Sequence, residues 1–177
     1  VLFRSTIYYV GMLENITQRY RAEEAVRHQA LHDPLTGLGN RQLLMEQLHH
    51  DLAVAQRHNQ SLGVLFVDLD GFKAVNDHHG HAVGDQVLEL VGQRFRAAIR
   101  QSDLLARIGG DEFVVLVPQA RDPQELTTLA AKLVAAARKP LRELPHHLAI
   151  SASVGIACYP EHGCTADGLL QAAEDRK

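Results

Sequence analysis

The period of the apolar residues changes along this chain, and the changes mark out its elements. Leu62-Gly63-Val64-Leu65-Phe66-Val67 is a continuous apolar run, the pattern of a central strand buried on both faces. Leu104-Leu105-Ala106 and Phe113-Val114-Val115-Leu116-Val117 are two short β-prone runs around Gly109-Gly110. Together they predict a hairpin, because glycine supplies the positive φ that tight hairpin turns demand. Residues 148–157 predict a further strand that ends at Pro160. Elsewhere the spacing is helical. Residues 42–58 carry Leu43, Leu44, Leu48, Leu52 and Val54 behind Asn40 as cap, and residues 86–100 carry Val87, Leu88, Leu90, Val91, Phe95, Ala98 and Ile99. Asp122-Pro123-Gln124-Glu125 reads as a capping box, and its helix runs to about residue 139 on Leu126, Leu129, Leu133 and Val134. A short helix follows Gly71, and residues 165–177 read as the first turns of a last one. The order strand, helix, hairpin, helix, strand predicts an α+β fold. Its expected form is a ferredoxin-like β-α-β-β-α-β palm with helices packed on a mostly antiparallel sheet.

The first residues stand apart from this pattern. Residues 7–13 form a β-prone run followed by Glu14-Asn15-Ile16-Thr17, which looks like the last strand of a PAS sensor domain and its exit into a helix. The alternative is an unstructured tail. Thr17 is a suitable N-cap for residues 18–31, which contain no Gly or Pro. The apolar positions Tyr20, Val26, Ala30 and Leu31 form no clean heptad, so the stretch reads as a weakly pairing signalling helix or as a solvated linker. The expected division is a PAS-like remnant over 1–16, a linker helix over 17–31 and the main domain over 32–177.

With 177 residues, 46% of them hydrophobic and 22% charged, the chain suits one globular domain plus an appendage. A net charge of -3 argues against a broad phosphate-backbone-binding surface, and so against nucleic acid as partner. Cys158 and Cys164 are too few for a disulfide framework and read as reduced thiols, which places the expected compartment in the cytoplasm. No apolar run reaches the ~20 residues that cross a bilayer. The first residue is Val1 and the last is Lys177, within a predicted helix. The chain is therefore expected to be a piece of a longer parent, which could itself be membrane-anchored.

Candidate chemistry gathers at three places. The buried strand delivers Asp68-Leu69-Asp70 to its C-terminal edge, and carboxylates there seldom serve packing. Hard divalent cations prefer oxygen ligands and take one or two carboxylates together with substrate phosphates. Asp111 and Glu112 sit at the hairpin tip, where neighbouring side chains point to opposite faces and so do different jobs. Gly-Gly-Asp alone is also plain turn chemistry. The helix after Gly71 presents its first amides, at Phe72 and Lys73, and the Lys73 ammonium to an anion. Its other reading for Lys73 is a solvated surface lysine. His78, His79 and His81 suggest zinc, but no cysteine is near. Arg100-Gln101-Ser102-Asp103 taken alone is a solvated ion pair of little worth.

These motifs together are more specific than any one of them. Arg107-Ile108-Gly109-Gly110-Asp111-Glu112-Phe113, the decapeptide His32 to Arg41 and the Asn76-Asp77-x-x-Gly80-His81-x-x-Gly84-Asp85 pattern resemble the GGDEF family, the bacterial diguanylate cyclases. The resemblance runs from about Leu31 to the end of the chain. It implies an enzyme that condenses two GTP into cyclic di-GMP and two pyrophosphates as a homodimer. It also implies that Asp68, the Leu69 carbonyl and Asp111 hold two Mg²⁺ (or Mn²⁺) per active site, with Asp70 in support. Asp111 and Glu112 would be the catalytic acids, their division of labour open, and Phe72 and Lys73 would meet the β- and γ-phosphates. Guanine offers N1–H and N2–H donors beside an O6 acceptor, so Asp85 can take both donors and Asn76 can serve one of each kind. His81 either contacts the nucleotide or orders its surroundings. Arg100 and Asp103 resemble the family's product-inhibition site for cyclic di-GMP. In relatives the last helix continues into a phosphate-binding lysine and a terminal strand, so the domain is expected to be truncated at its C-terminus. An upstream PAS sensor, with room for downstream domains, would complete the implied parent. The other class of function is a catalytically silent GTP or cyclic di-GMP receptor or scaffold, against which the intact Gly-Gly-Asp-Glu-Phe with Asp68 and Lys73 weighs.

Overall fold

The structure, a computed structural model, describes residues 29–120, 122–141, 144 and 148–177. The PAS-like strand and most of the linker helix lie outside these residues, while residues 29–31 are helical. The described chain runs α1 (Arg41–His58), β1 (Leu62–Asp70), α2 (Phe72–His79), α3 (His81–Ala98), β2 (Leu104–Gly109), β3 (Glu112–Val117), α4 (Pro123–Ala137), β4 (Ser151–Tyr159) and α5 (Ala166–Glu174). Among the described residues no helix is long and apolar enough to cross a membrane.

The strands form one sheet in the order β2-β3-β1-β4, with antiparallel neighbours throughout. This is the predicted α+β palm, with helices on both faces. β1 lies in the middle because its apolar run can be buried on both sides, and Leu62, Val64, Leu65 and Val67 have no exposed surface at all. Alternate residues serve opposite cores. Leu65, Val67 and Leu69 join Phe113, Val115 and Val117 beneath α2, α3 and α4, where the Phe95 and Phe113 rings meet edge to face at 5.4 Å. Val64 and Phe66 join Val114 and Leu116 on the other face, under Leu44 and Leu48 of α1 and Leu169 and Leu170 of α5.

Several boundaries differ from expectation, each for a physical reason. β1 runs on to Asp70 and β4 to Tyr159 because the two pair in unbroken register, from Leu62 with Tyr159 to Asp70 with Ser151. The long helix expected from residue 86 begins at His81, because Gly80 at φ 82° turns the chain so tightly that α2 and α3 share it as a cap. Gly84 and Asp85 are therefore helix residues. Asp122 caps α4, its carboxylate accepting from Gln124 N at 2.9 Å, and Glu125 Oε1 pairs with Arg100.

One ion pair ties the segment before α1 to the hairpin. Asp33 is buried and gathers its own turn, accepting from Thr36 Oγ1 at 3.0 Å and Leu35 N at 3.3 Å. Arg107 Nη1 reaches both Asp33 oxygens, at 2.7 and 3.0 Å. The same guanidinium donates to the Gly110 carbonyl from Nε at 2.9 Å and Nη2 at 2.8 Å. Burial works against the Asp33 charge, but the hydrogen bonds from Arg107 and Thr36 overturn it and hold the carboxyl below its ordinary value. The pair therefore stabilises the fold above the ordinary carboxylate value of 3.8, and this contribution fades as pH falls through the lower folded-state value. Arg107→Met leaves a buried charge unpaired and is expected to cost about 3 kcal/mol in urea unfolding at pH 7. The gap from the parent chain should narrow towards pH 3; an equal gap at both pH values would show that the pair carries no such linkage.

Candidate active site

The ends of β1 and β3 bring the predicted acids together. Asp68 is the cross-strand partner of Glu112, so both side chains leave the same face of the sheet. One step further, the Leu69 amide donates to the Asp111 carbonyl at 3.3 Å. The hairpin connecting β2 to β3 is only Gly110 and Asp111, and Gly110 adopts φ 42°, the left-handed region that glycine enters without strain. The tightness of this turn sets Asp111 beside the end of β1 rather than out in solvent. Asp70 leans back across the sheet, its Oδ1 accepting from Ser153 Oγ at 2.8 Å.

This cluster holds more negative charge than it neutralises. Burial pushes the Asp111 carboxyl up against a hydrogen bond from its own backbone amide, and the Asp68 charge adds to the rise while Lys177 and Arg107 oppose it more weakly. Glu112 is raised as well, by burial first, with Lys177 opposing and Asp68, Glu174 and Asp111 reinforcing. Asp68 has drawn in a cation from the residues after α5: Lys177 Nζ lies 2.9 Å from its Oδ2 and 4.9 Å from the centre of the Phe66 ring. The hydrogen bond to Asp68 raises the Lys177 ammonium in turn. A carboxylate set that pulls an ammonium onto itself suits a hard divalent cation. Two carboxylates and the Leu69 carbonyl supply oxygen donors only, the set such an ion prefers, with places left for phosphate oxygens.

The junction of α2 and α3 carries the other residues that the sequence singles out. Phe72 and Val75 turn into the core, so Phe72 can offer a ligand only its backbone amide, while Lys73 stands exposed in the first turn of α2. Asn76 leans over Gly84, where an added Cβ would collide with its Oδ1 and lie 3.0 Å from its Cγ. Gly84 is thus required by the space Asn76 fills. The Asn76 Oδ1 is buried against Gly84 and finds no hydrogen-bond partner among the described residues. His81 and Asp85 are exposed on the first turns of α3. His78 is engaged locally, its Nδ1 at 2.7 Å from the Ala74 carbonyl.

Arg100 and Asp103 lie elsewhere, between the end of α3 and the start of β2. Asp103 is only 6% exposed and closes its own turn, Oδ2 accepting from Arg100 N at 3.0 Å and Oδ1 from Ser102 Oγ at 3.2 Å. The Arg100 side chain is largely exposed and pairs with Glu125. A cavity of about 180 Å³ adjoins them, lined also by Thr128, Leu129 and Lys132 of α4. The sequence offered no sign of Glu125 as the partner of Arg100, nor of the contacts that Arg107, Asp33, Ser153 and Lys177 make. Arg107 carries the one local signal that could have been used, an arginine directly ahead of a glycine turn holding two acids. The pairing of Lys177 with Asp68, 109 positions apart, has no local signal.

Comparison with known proteins agrees with this geometry. The diguanylate cyclase GGDEF-domain family matches residues 30–176. The chain is 47% identical over 154 residues to the bifunctional diguanylate cyclase/cyclic di-GMP phosphodiesterase MucR of Pseudomonas aeruginosa, covering 87% of this chain and 22% of MucR. It is 42% identical over 165 residues to the diguanylate cyclase TpbB of Pseudomonas aeruginosa, covering 92% of this chain and 38% of TpbB. The solved structure of the TpbB GGDEF domain superposes with a TM-score of 0.78 at 41% identity, covering 81% of this chain and 84% of that one. The chain thus spans well under half the length of these curated relatives. Over the part that it does span, motif, sheet and relatives agree, and the chain belongs to the GGDEF family of diguanylate cyclase domains.

Proposed function

We propose that this domain condenses two GTP into cyclic di-GMP, and that the acids at the ends of β1 and β3 carry the reaction. The observation that supports it best is the under-neutralised carboxylate cluster of Asp68, Asp111 and Glu112 beside the α2 N-terminus. Mg²⁺ held by Asp68, the Leu69 carbonyl and Asp111 would neutralise the triphosphate and favour ionisation of the attacking hydroxyl. The Phe72 and Lys73 amides and the Lys73 ammonium bind the β- and γ-phosphates. Glu112 or Asp111 takes the proton of the 3′-hydroxyl of a second GTP. A new bond forms from that oxygen to the α-phosphorus as the bond to pyrophosphate breaks, and a second round closes the ring.

One such palm holds one GTP, so two copies must face each other. The helix that ends at residue 31 is positioned to govern this meeting, because Asn40 ties it to the domain: its Nδ2 donates to the Ala30 carbonyl at 2.7 Å and its amide to the Leu31 carbonyl at 2.9 Å. Incubation with GTP and Mg²⁺ should yield cyclic di-GMP on chromatography, at a rate rising faster than linearly with protein concentration. Asp111→Ala should yield none. Product from both proteins would remove the catalytic assignment, and GTP binding without product from the parent chain would make the domain a receptor.

Base selection falls to Asn76 and Asp85. Inosine triphosphate lacks the N2 amine, and each well-placed base hydrogen bond contributes about 1–3 kcal/mol of discrimination. The parent chain should therefore use GTP at least about tenfold better than inosine triphosphate in kcat/KM. Asp85→Ala should bring the two substrates together; an undiminished preference would take Asp85 out of the guanine site.

The cavity beside Arg100 is the proposed feedback site. Its arginine fork would take phosphate or a guanine edge on release from Glu125, and Asp103 would accept guanine N–H groups with the lone pairs its turn leaves over. Arg100→Ala should relieve inhibition by added cyclic di-GMP and leave the initial rate intact. Unchanged inhibition would remove Arg100 from the site.

A further inference from the structure

The cavity of about 180 Å³ beside Arg100 is smaller than the ~300–1,000 Å³ of sites that enclose a whole small molecule. It can therefore take only one end of a cyclic dinucleotide, a phosphodiester or a guanine edge. The charged side chains that line it are Arg100 and Lys132 against Asp103 and Glu125. Cations and carboxylates in equal number leave no net attraction for a product whose two phosphodiesters are both anionic.

The two carboxylates are held differently. Asp103 is fixed within its own turn, accepting from the Arg100 backbone amide and Ser102 Oγ, so it keeps its place whatever the Arg100 side chain does. Glu125 pairs with the Arg100 guanidinium itself, the fork that a phosphate or a guanine edge needs. The Arg100 side chain is 64% exposed and that of Glu125 21%, and solvent screens such a contact, so breaking it shifts an equilibrium by up to about fivefold. Glu125 is not stranded once the arginine leaves. It stands in the first turn of α4, where the helix N-terminus favours an acid, and its amide stays bonded to the Asp122 carbonyl at 2.9 Å.

Resting on the assignment of this cavity to feedback, we propose that Glu125 is a built-in competitor for the product: by holding the Arg100 guanidinium it sets the cyclic di-GMP concentration at which inhibition begins. Product binding exchanges one partner of Arg100 for another, and Asp103 stays where it is.

Calorimetric titration with cyclic di-GMP tests this, reading only the binding that Arg100→Ala removes, so that product in the nucleotide subsite is not counted. Glu125→Gln keeps the shape of the side chain and removes its charge; it should tighten that binding at least about threefold. The cavity then carries a net positive charge, so raising sodium chloride from about 50 to about 500 mM should weaken binding more in Glu125→Gln than in the parent chain. A merely structural effect of the substitution would leave the salt dependence alone. Glu125→Ala should tighten binding as well, which keeps the test decisive should Glu125→Gln fail to fold. Arg100-dependent binding that is unchanged or weaker in either folded variant would overturn the proposal and leave the feedback site standing. Absence of such binding from the parent chain and both variants would remove the feedback site and the proposal with it, whereas its appearance in the variants alone would support the proposal.

Discussion

Mutual repulsion among carboxylates at the adjoining ends of β1 and β3 is the constraint that the surrounding structure answers. Asp68 and Glu112 face the same way as cross-strand partners, and the two-residue turn sets Asp111 beside them. Burial and like charge then raise Asp111 and Glu112 together. A strand end left to solvent would relax by splaying the acids apart. Here it cannot, because β1 is held on both sides, by β3 from Gly63 to Asp68 and by β4 along its whole length. The sheet thus stores an electrostatic cost that a cation can relieve, and Lys177 relieves it in part by sitting on Asp68.

The hairpin tip is fixed from a second direction. Arg107 spans the Asp33 turn and the Gly110 carbonyl with one guanidinium, and Gly39 adds backbone bonds to both Leu105 and Arg107. The segment entering the domain and the turn carrying Asp111 are therefore one hydrogen-bonded unit. A hydrogen-bonded path thus runs from residues 30 and 31 through Asn40, and from the Asp33 turn through Arg107 to the Gly110 carbonyl next to Asp111. Rigidity of the sheet and coupling at its edge are compatible because β1 and β3 are interior strands, while β2 is an edge strand with a register shift between Arg107 and Gly109.

Legibility of the sequence varied with the range of the force involved. The continuous run of β1, the glycine turn between β2 and β3 and the Asn40 cap of α1 were readable because each rests on neighbours a few positions away. The start of α3 was not, since a single glycine cap replaced the loop that the dense 78–85 motif suggested. Glu125 showed a capping spacing, yet its side chain answers the charge of Arg100, which packing brings close from 25 positions earlier. Asp51 reads as an ordinary polar residue on an amphipathic helix, and only the fold over β2 makes it a buried acid.

The sequence by itself determined the alternation of elements, the palm they build and the residues that could do nucleotide chemistry, because periodicity, turn propensity and side-chain functional groups are properties of short segments. Only the tertiary structure decided which charges meet. Arg107 with Asp33, Lys177 with Asp68 and the orphaned oxygens of Asn76 and Asp51 depend on segments that folding brings together from as far as 109 positions apart. Electrostatic cost is set by distance and burial in space, and neither quantity is written in the order of residues along the chain.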